Sequence, residues 1–285
     1  MAERRGALAS AAFDARVLFG AAVLLALIVA AAGAPLLAPH DPLEQDLLAS
    51  FLPPAFQAGA DPLFPLGTDS LGRDLLSRLI YGARVALTVA LVAASLAALL
   101  GTALGLIAGY FGGWVDAVIS RLVDVWMAFP PVLLSIVLVA IIGAGLNSVI
   151  IAIVIIDWTR FCRVVRAEVL VQREQDYVAS AVTIGLGRWR ILWHEVLPNL
   201  MPLLLVLITL EMGIAIIVEA ILSFVGLSVS SDQATWGGLI QEGRLYIHQA
   251  WWIMVLPMAC IIISVLGLNA LGDGLRRTLD PVMRR

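Results

Sequence analysis

The chain contains no lysine, so all 18 of its basic residues are arginine. A phosphate-binding P-loop needs lysine in the pattern G-x-x-x-x-G-K-[ST], and covalent amine catalysis needs lysine as well. Both are therefore excluded in this chain. If ATP powers the protein, we expect the ATPase to be another polypeptide.

Cysteine and histidine are also scarce. Cys162 and Cys260 lie in or beside apolar segments without C-x-x-C spacing, which favours a packing role over a disulfide or a metal site. The histidines, His40, His194 and His248, are far apart and form no H-E-x-x-H pattern. We therefore predict no metal site, no catalytic residues and no enzyme.

Charged residues make up only 14% of the 285-residue chain, whereas hydrophobic residues make up 61%. Soluble domains are about one quarter charged and about half apolar. The net charge of −3 carries little information, because most of the charges lie in loops and at the ends. The composition predicts an all-α, polytopic membrane helix bundle.

Six apolar runs are long enough for a hydrocarbon core of about 30 Å, which takes about 20 helical residues. They predict about six transmembrane helices, at residues 17–39, 85–110, 117–142, 149–165, 202–227 and 250–271. Residues 1–16 form an N-terminal tail, and residues 17–285 form the transmembrane domain. The first run also resembles a signal peptide, but its length and Pro35 favour an uncleaved anchor.

Two of the predicted spans contain special residue spacings. Gly101, Gly105 and Gly109 occupy every fourth position of the second span, which allows two helix backbones to approach closely. Pro130 and Pro131 interrupt the third span. Proline removes a helical hydrogen bond, so we predict a bend there.

The arginines predict the orientation, because basic residues favour the cytoplasmic side. With the N-terminus inside, 14 of the 18 arginines lie on the inner side, and Arg73, Arg78, Arg84 and Arg244 lie outside. We therefore predict cytoplasmic N- and C-termini and a cytoplasmic loop at residues 170–200. Residues 40–83 form an extracytoplasmic segment.

The predicted outer segments contain helix signals. Asp69 or Ser70 can cap an amphipathic surface helix over residues 71–81, and Gly82 can end it. A second outer segment covers residues 228–249. Each segment could receive a partner or a substrate, or form a packed lid over the bundle, and the sequence leaves both alternatives open.

The loop at residues 170–200 alternates charge, glycine and amphipathic helix. Asp176 marks a helix start, because an acidic side chain near a helix N-terminus interacts favourably with the helix dipole. Gly185 and Gly187 interrupt the helix, and Trp189 begins another. Connections of this length are uncommon. We predict that the loop docks into a groove of a soluble partner.

At these residues the sequence resembles the permease subunits of ABC importers, specifically the C-type subunit of the dipeptide, oligopeptide and nickel group. The segment REQDYVASAVTIG is similar to that group's RE-x-DYV-x-AA run, and Gly185 and Pro198 keep the family's spacing of 13 residues. The sequence departs from the pattern at Ala179, Ser180 and Val182, where the family usually has Glu, Ala and Arg. These departures are compatible with the helix but argue against a specific salt bridge to the ATPase.

Four further segments resemble the same group and occur in the expected order. They are PLGTDSLGRDLLSRLIYGAR at 65–84, EAILSFVGL at 219–227, TWGG at 235–238 and NALGDGLRRTLDP at 269–281. The resemblance therefore covers nearly the whole chain. The resemblance is highly specific for this group of permeases, but it is much less specific for the cargo.

The resemblance implies a coupling-helix loop in one of two related permeases of a bacterial inner-membrane importer. The implied partners are a second permease, two ABC ATPase subunits with ATP and Mg²⁺, an extracytoplasmic substrate-binding protein and membrane lipid, without nucleic acid. The cargo is a dipeptide, an oligopeptide, glutathione, or nickel or another metal chelate. The residues that would enter the ATPase groove are Asp176, Tyr177, Val178, Ala179, Ser180, Ala181, Ile184, Gly185, Leu186 and Gly187.

Three acidic residues lie inside predicted spans: Asp157 in the fourth, and Glu211 and Glu219 in the fifth. A charge at the bilayer centre costs about 2.5–3.5 kcal/mol on insertion scales, so such groups face protein or water. Asp157 can pair with Arg160 or Arg163 on the next turn, and Glu219 is expected to have a structural partner. Alternatively, the three acids line the pathway. In the sharper form of this hypothesis, Asp157 and Glu211 form a cavity for a peptide ammonium group or a metal complex.

Two other classes of protein remain open. A self-contained channel or secondary transporter would explain the helices and the buried acids, but it would leave the docking loop without a role. A membrane-embedded enzyme lacks support, because the sequence has neither a metal motif nor a G-x-S-x-G nucleophile elbow.

Overall fold

A computed structural model describes residues 15–228 and 233–279, and most of these residues are helical. The α-helices are α1 Ala15–Leu37, α2 Leu75–Phe111, α3 Gly113–Met127, α4 Pro131–Ile142, α5 Leu146–Gln172, α6 Asp176–Thr183, α7 Arg188–Ile191, α8 Leu197–Phe224, α9 Trp236–Leu245 and α10 Trp252–Leu279. A short 3₁₀-helix, Leu47–Ala49, follows α1, and a π-helical turn, Leu192–Val196, joins α7 to α8. The all-α prediction is confirmed.

Among the described residues, four helical segments are long and apolar enough to cross a membrane. They are α1, α2, the continuous helix Arg188–Phe224 and most of α10, and the pair α3 and α4 adds a fifth if it forms one bent span. Helix α5 is 27 residues long but contains Asp157, Arg160 and Arg163 near its middle. The prediction of a polytopic helix bundle is confirmed, and the predicted total of six spans includes α5.

The predicted bend in the third span is present. Helix α3 ends at Met127, α4 begins at Pro131, and the two helices are bent by 88°. Proline is well tolerated in the first turn of a helix, where its missing N–H would have no intrahelical partner. The residues predicted as one bent span therefore form two helices that are nearly perpendicular.

Helix α2 packs closely against α5 through its glycine positions. A Cβ atom on Gly101 would lie 2.3 Å from the carbonyl oxygen of Trp158, and one on Gly105 would lie 2.8 Å from that of Cys162. Gly109 is similarly crowded by α5. Side chains at these positions would force the two backbones apart, so the predicted close helix approach is confirmed.

The predicted helix over residues 71–81 has the wrong start. Helix α2 begins at Leu75, and Asp74 caps it by accepting a hydrogen bond from the backbone N–H of Ser77 at 2.8 Å. Asp69 and Ser70 therefore do not cap this helix. Gly72 has φ of +73°, which is a left-handed conformation that a regular α-helix does not contain.

The predicted end of that helix at Gly82 is also wrong. Helix α2 continues through Gly82 without interruption as far as Phe111. A Cβ atom on Gly82 would lie 2.6 Å from the indole ring of Trp236. This glycine therefore makes room for Trp236 of α9 and does not end the helix.

The connection between α1 and α2, residues 38–74, packs on the end of the bundle opposite the loop 173–196. The indole N–H of Trp252 on α10 donates to the carbonyl of Thr68 at 3.1 Å, and the backbone N–H of His40 donates to the Ser77 hydroxyl on α2 at 3.0 Å. These bonds favour the packed-lid alternative for this segment. Residues 1–14 of the predicted N-terminal tail lie outside the described residues. Residues 280 and 281, the last two of the motif at 269–281, lie outside them as well.

Candidate functional site

The loop between α5 and α8, residues 173–196, forms a compact unit on the bundle. Its buried side chains contact the ends of α2 and α5 in one continuous apolar cluster. The loop contributes Val178, Ala181, Ile191, Leu192 and Val196, and the bundle contributes Leu106, Val165 and Val169, among others. The loop is therefore packed against the helices on both sides of it and does not extend freely from them.

Glycine ends the loop helix α6. Gly185 has φ of +83°, and the backbone N–H groups of Gly185 and Leu186 donate to the carbonyls of Val182 and Ala181 at 3.0 and 3.1 Å. This pair of bonds is the usual way in which a glycine in the left-handed region closes a helix C-terminus. Gly187 is then the N-cap of α7. The predicted helix break at these two glycines is confirmed.

The predicted docking residues divide into an outer and an inner face. Of these residues, the exposed ones are Asp176, Ala179, Ser180, Ile184, Gly185 and Gly187; Tyr177 and Leu186 are half-buried; Val178 and Ala181 are buried. The outer face includes Val182 as well, and the side chain of Ile184 is 75% exposed. An exposed apolar face on a fixed helix is typical of a protein interaction site.

Polar contacts attach the loop to the rest of the bundle. The guanidinium of Arg173 donates to the carbonyl of Gly109 at 3.1 Å, where α2 approaches its end. The Tyr177 hydroxyl donates to the Gln172 side chain at 2.6 Å. Burial raises the pKa of the Tyr177 phenol, so it stays a neutral donor. Movement of the loop would therefore be transmitted to α2 and α5.

Asp157 and Glu211 lie together across the α5–α8 contact. Arg160 Nη1 lies 3.0 Å from Glu211 Oε2, and Arg160 Nη2 lies 3.8 Å from Asp157 Oδ1. The predicted pairing of Asp157 with Arg160 is confirmed, whereas Arg163 binds Asp124 on α3 at 3.1 Å. We call Asp157, Arg160 and Glu211 the acid–arginine cluster.

Glu219 is separate from this cluster and has hydroxyl partners. Its carboxylate accepts hydrogen bonds from Ser223 at 2.5 Å and from Ser228 at 3.2 Å, and all three residues are buried. This agrees with the structural partner that the sequence predicted for Glu219. The pathway role remains a prediction for all three acids.

Sequence reasoning missed the link between Arg160 and Glu211. It considered Arg160 only as a neighbour of Asp157 on the same helix. The charges in the sequence could have indicated this link. An arginine inside a membrane helix is expected to pair with acids on neighbouring membrane helices as well as with those on its own helix.

A second ionic cluster, the lid cluster, joins residues 38–74 to α9. Arg73 binds Asp69 at 2.7 Å and Glu242 at 3.1 Å, Arg78 binds Glu242 at 3.0 Å and also contacts Asp69, and Ser70 donates to Glu242 at 2.5 Å. Burial alone would raise the pKa of the Glu242 carboxyl, but Arg78, Ser70 and Arg73 together hold it below its usual value. The cluster adjoins a cavity of about 520 Å³.

Replacing Arg78 with methionine is expected to destabilise the protein by about 3 kcal/mol, because Asp69 and Glu242 would lose a buried counter-charge. The midpoint of thermal unfolding in detergent measures the loss. Arg84→Met is the matched control, since Arg84 is exposed on the same helix. Adding Glu242→Gln to Arg78→Met should restore part of the stability. Equal midpoints for Arg78→Met and Arg84→Met would contradict the prediction.

Comparison with known proteins identifies the class of protein to which this chain belongs. Residues 101–285 match the family described as the binding-protein-dependent transport system inner membrane component. Residues 16–54 match the N-terminal transmembrane domain of oligopeptide transport permease C. The chain belongs to the family of binding-protein-dependent transport inner membrane components, and it is a multi-pass permease subunit of an ABC importer.

Individual relatives are similar in sequence to this chain over nearly its whole length. The chain is 40% identical to the di/tripeptide transport system permease protein DppC of Pseudomonas aeruginosa, over 96% of this chain and 91% of that protein. It is 41% identical to the dipeptide transport system permease protein DppC of Escherichia coli, over 87% of this chain and 83% of that protein. The inward-facing MetNI methionine ABC transporter has a similar fold, with a TM-score of 0.59 and 17% identity over 71% of this chain and 96% of that one.

Proposed function

We propose that this chain forms half of the translocation pathway of an ATP-driven peptide importer in a bacterial inner membrane. A second, related permease forms the other half. Two ATPase subunits bind ATP and Mg²⁺ on the cytoplasmic side, and an extracytoplasmic binding protein delivers the cargo. In this arrangement both termini and the loop 173–196 are cytoplasmic.

The exposed face of α6 is the observation that carries the coupling role. Its inner face is packed against the bundle, while Ile184 and Val182 are exposed although both are apolar. The loop follows α5 directly and leads into α8. A groove on an ATPase that holds this face would therefore move α5 and α8 together when the ATPases close.

Peptide is the cargo that the relatives favour, since the permeases of P. aeruginosa and E. coli are named for dipeptides and tripeptides. A nickel or other metal chelate is the competing cargo. The binding protein selects the cargo, so its ligand has to be measured directly.

The test is purification of the complex from native membranes, followed by uptake into proteoliposomes. We expect the ATPases, a second permease and the binding protein to co-purify, and labelled dialanine to accumulate only with ATP and the binding protein. Competition by a nickel chelate but not by unlabelled dialanine would favour metal cargo. Uptake by the chain alone, without ATP, would favour a channel or a secondary transporter.

A further inference from the structure

In the acid–arginine cluster the arginine side chain is exposed and the two acidic side chains are buried beneath it. The side chain of Arg160 is 41% exposed, whereas those of Asp157 and Glu211 are 7% and 1% exposed. The guanidinium occupies the position that a peptide ammonium would need in order to reach the carboxylates. A ligand on this side therefore meets hydrogen-bond donors, which is the reverse of a cation site.

Arg160 lies deep in the predicted membrane. The predicted span within α5, residues 149–165, is centred at residue 157, and three residues of helix correspond to about 4.5 Å, so Arg160 lies close to the bilayer midplane. A charge that faces lipid at this depth is costly, and ionisable residues within membrane helices face protein or a water-filled space. The exposed side of Arg160 therefore faces one of these two.

The two acids hold the guanidinium in place. Glu211 belongs to α8 and Asp157 to α5, so their contacts with Arg160 span two helices. A free arginine at this depth would extend towards the membrane surface, where water covers its charge. Within the described residues, Glu211 accepts one hydrogen bond from Arg160, and a guanidinium has five N–H donors.

We propose that Arg160 is a contact site in the pathway for the oxygen atoms of a peptide in transit, above all its terminal carboxylate. This site rests on the proposed function, because it needs a peptide cargo. Guanidinium and carboxylate form strong charge-assisted hydrogen bonds. Asp157 and Glu211 are positioning residues that offset the single charge of Arg160 from behind and leave its outward-facing N–H donors to the cargo.

Compensation of the arginine charge by the two acids suits a transport site. A transport site has to bind the cargo strongly enough to admit it and weakly enough to release it. A bare arginine in a low-dielectric region would hold a carboxylate too firmly, because electrostatic interactions are stronger there than in water. The acids behind Arg160 weaken that attraction and make the contact transient.

This arrangement predicts opposite kinetic effects for two substitutions in the reconstituted complex. Arg160→Gln should reduce dialanine uptake about tenfold at low concentrations of loaded binding protein, because a charge-assisted contact is lost. Glu211→Gln should lower both the half-saturating concentration and the maximal rate, because the cargo is held longer. Arg163→Gln, an exposed arginine that pairs with Asp124, is the matched control and should leave both values unchanged.

Solvent access decides whether Arg160 faces the pathway. In a chain with Cys162→Ala and Cys260→Ala, the thiol introduced by Arg160→Cys should react with a water-soluble cationic methanethiosulfonate, and the adduct should restore part of the uptake. An anionic reagent should react without restoring uptake, and loaded binding protein with ATP should slow both reactions. Absence of labelling would overturn the site and place Arg160 against the second permease.

Uptake by the wild-type complex separates the two proposals. ATP-dependent dialanine uptake supports the proposed function whatever happens at Arg160. Wild-type uptake combined with no effect of Arg160→Gln, or with parallel effects of Arg160→Gln and Glu211→Gln, overturns the pathway site alone. Failure of the wild-type complex to import dialanine while importing a metal chelate overturns the peptide cargo and the site with it.

Discussion

Replacing Ile184 with glutamate is expected to release the ATPase subunits while leaving the membrane bundle folded. The side chain is 75% exposed on the outer face of the loop, so a carboxylate there is harmless in the isolated chain. In a complex it would lie unpaired within an apolar contact. Loss of a central interface anchor costs about 2 kcal/mol or more, which corresponds to roughly 30-fold weaker binding. Co-purification of the ATPases and the ATPase rate stimulated by the loaded binding protein measure the effect.

The matched control for this substitution is Leu48→Glu. Leu48 is 98% exposed but lies at the opposite end of the bundle, so the same change should leave ATPase binding intact. Val178→Glu is the contrasting variant, because Val178 is buried beneath the loop and a charge there should unfold it. If Ile184→Glu retains both ATPases at wild-type stoichiometry and stimulated activity, the docking role of this face is wrong.

Replacing Gly101 with alanine should disrupt the bundle although it adds only one methyl group. The new Cβ atom would lie 2.3 Å from the carbonyl oxygen of Trp158 and 2.5 Å from the Cβ atom of Phe161. Neither atom can move without shifting α5 as a whole, so we expect a loss at the upper end of overpacking costs, about 3 kcal/mol. The yield of monodisperse protein in detergent and the midpoint of its thermal aggregation measure this loss.

Gly213→Ala is the matched control for Gly101→Ala, because it makes the same change inside another long apolar helix. The nearest atom to a Cβ atom on Gly213, Asn269 Oδ1, would be 3.5 Å away, which is ordinary contact. Alanine favours helix by up to about 1 kcal/mol over glycine, so this variant should be unchanged or slightly more stable. Equal midpoints for the two variants would show that α2 and α5 do not depend on backbone contact at Gly101.

The sequence predicted the features of this fold that depend on neighbouring residues. The Gly101–Gly105–Gly109 spacing indicated a close helix contact, and the prolines at 130 and 131 indicated a bend. Gly185 indicated the end of the loop helix. Each of these follows from backbone geometry within a few residues, which a single sequence contains.

The missed features depend on residues that are distant in the chain. Asp69 was predicted to cap a helix, but its carboxylate binds Arg73 and Arg78. Glu242, which is far away in the chain, binds the same two arginines and completes the lid cluster, and local reasoning cannot find it. Gly82 was predicted to end a helix because nothing nearby shows that Trp236 packs on it. In both cases tertiary contact determined the role of a residue whose local preference indicated another.

The π-helical turn Leu192–Val196 determines which side of α8 faces the acid–arginine cluster. A π-helical turn holds one residue more than an α-helical turn, and each residue advances an α-helix by about 100°. Glu211 therefore points about a quarter turn away from where an uninterrupted helix from Arg188 would direct it. This single irregular turn therefore sets the rotation of the Glu211 carboxylate about the helix axis relative to the loop 173–196, and any motion passed from the loop to α8 must cross it.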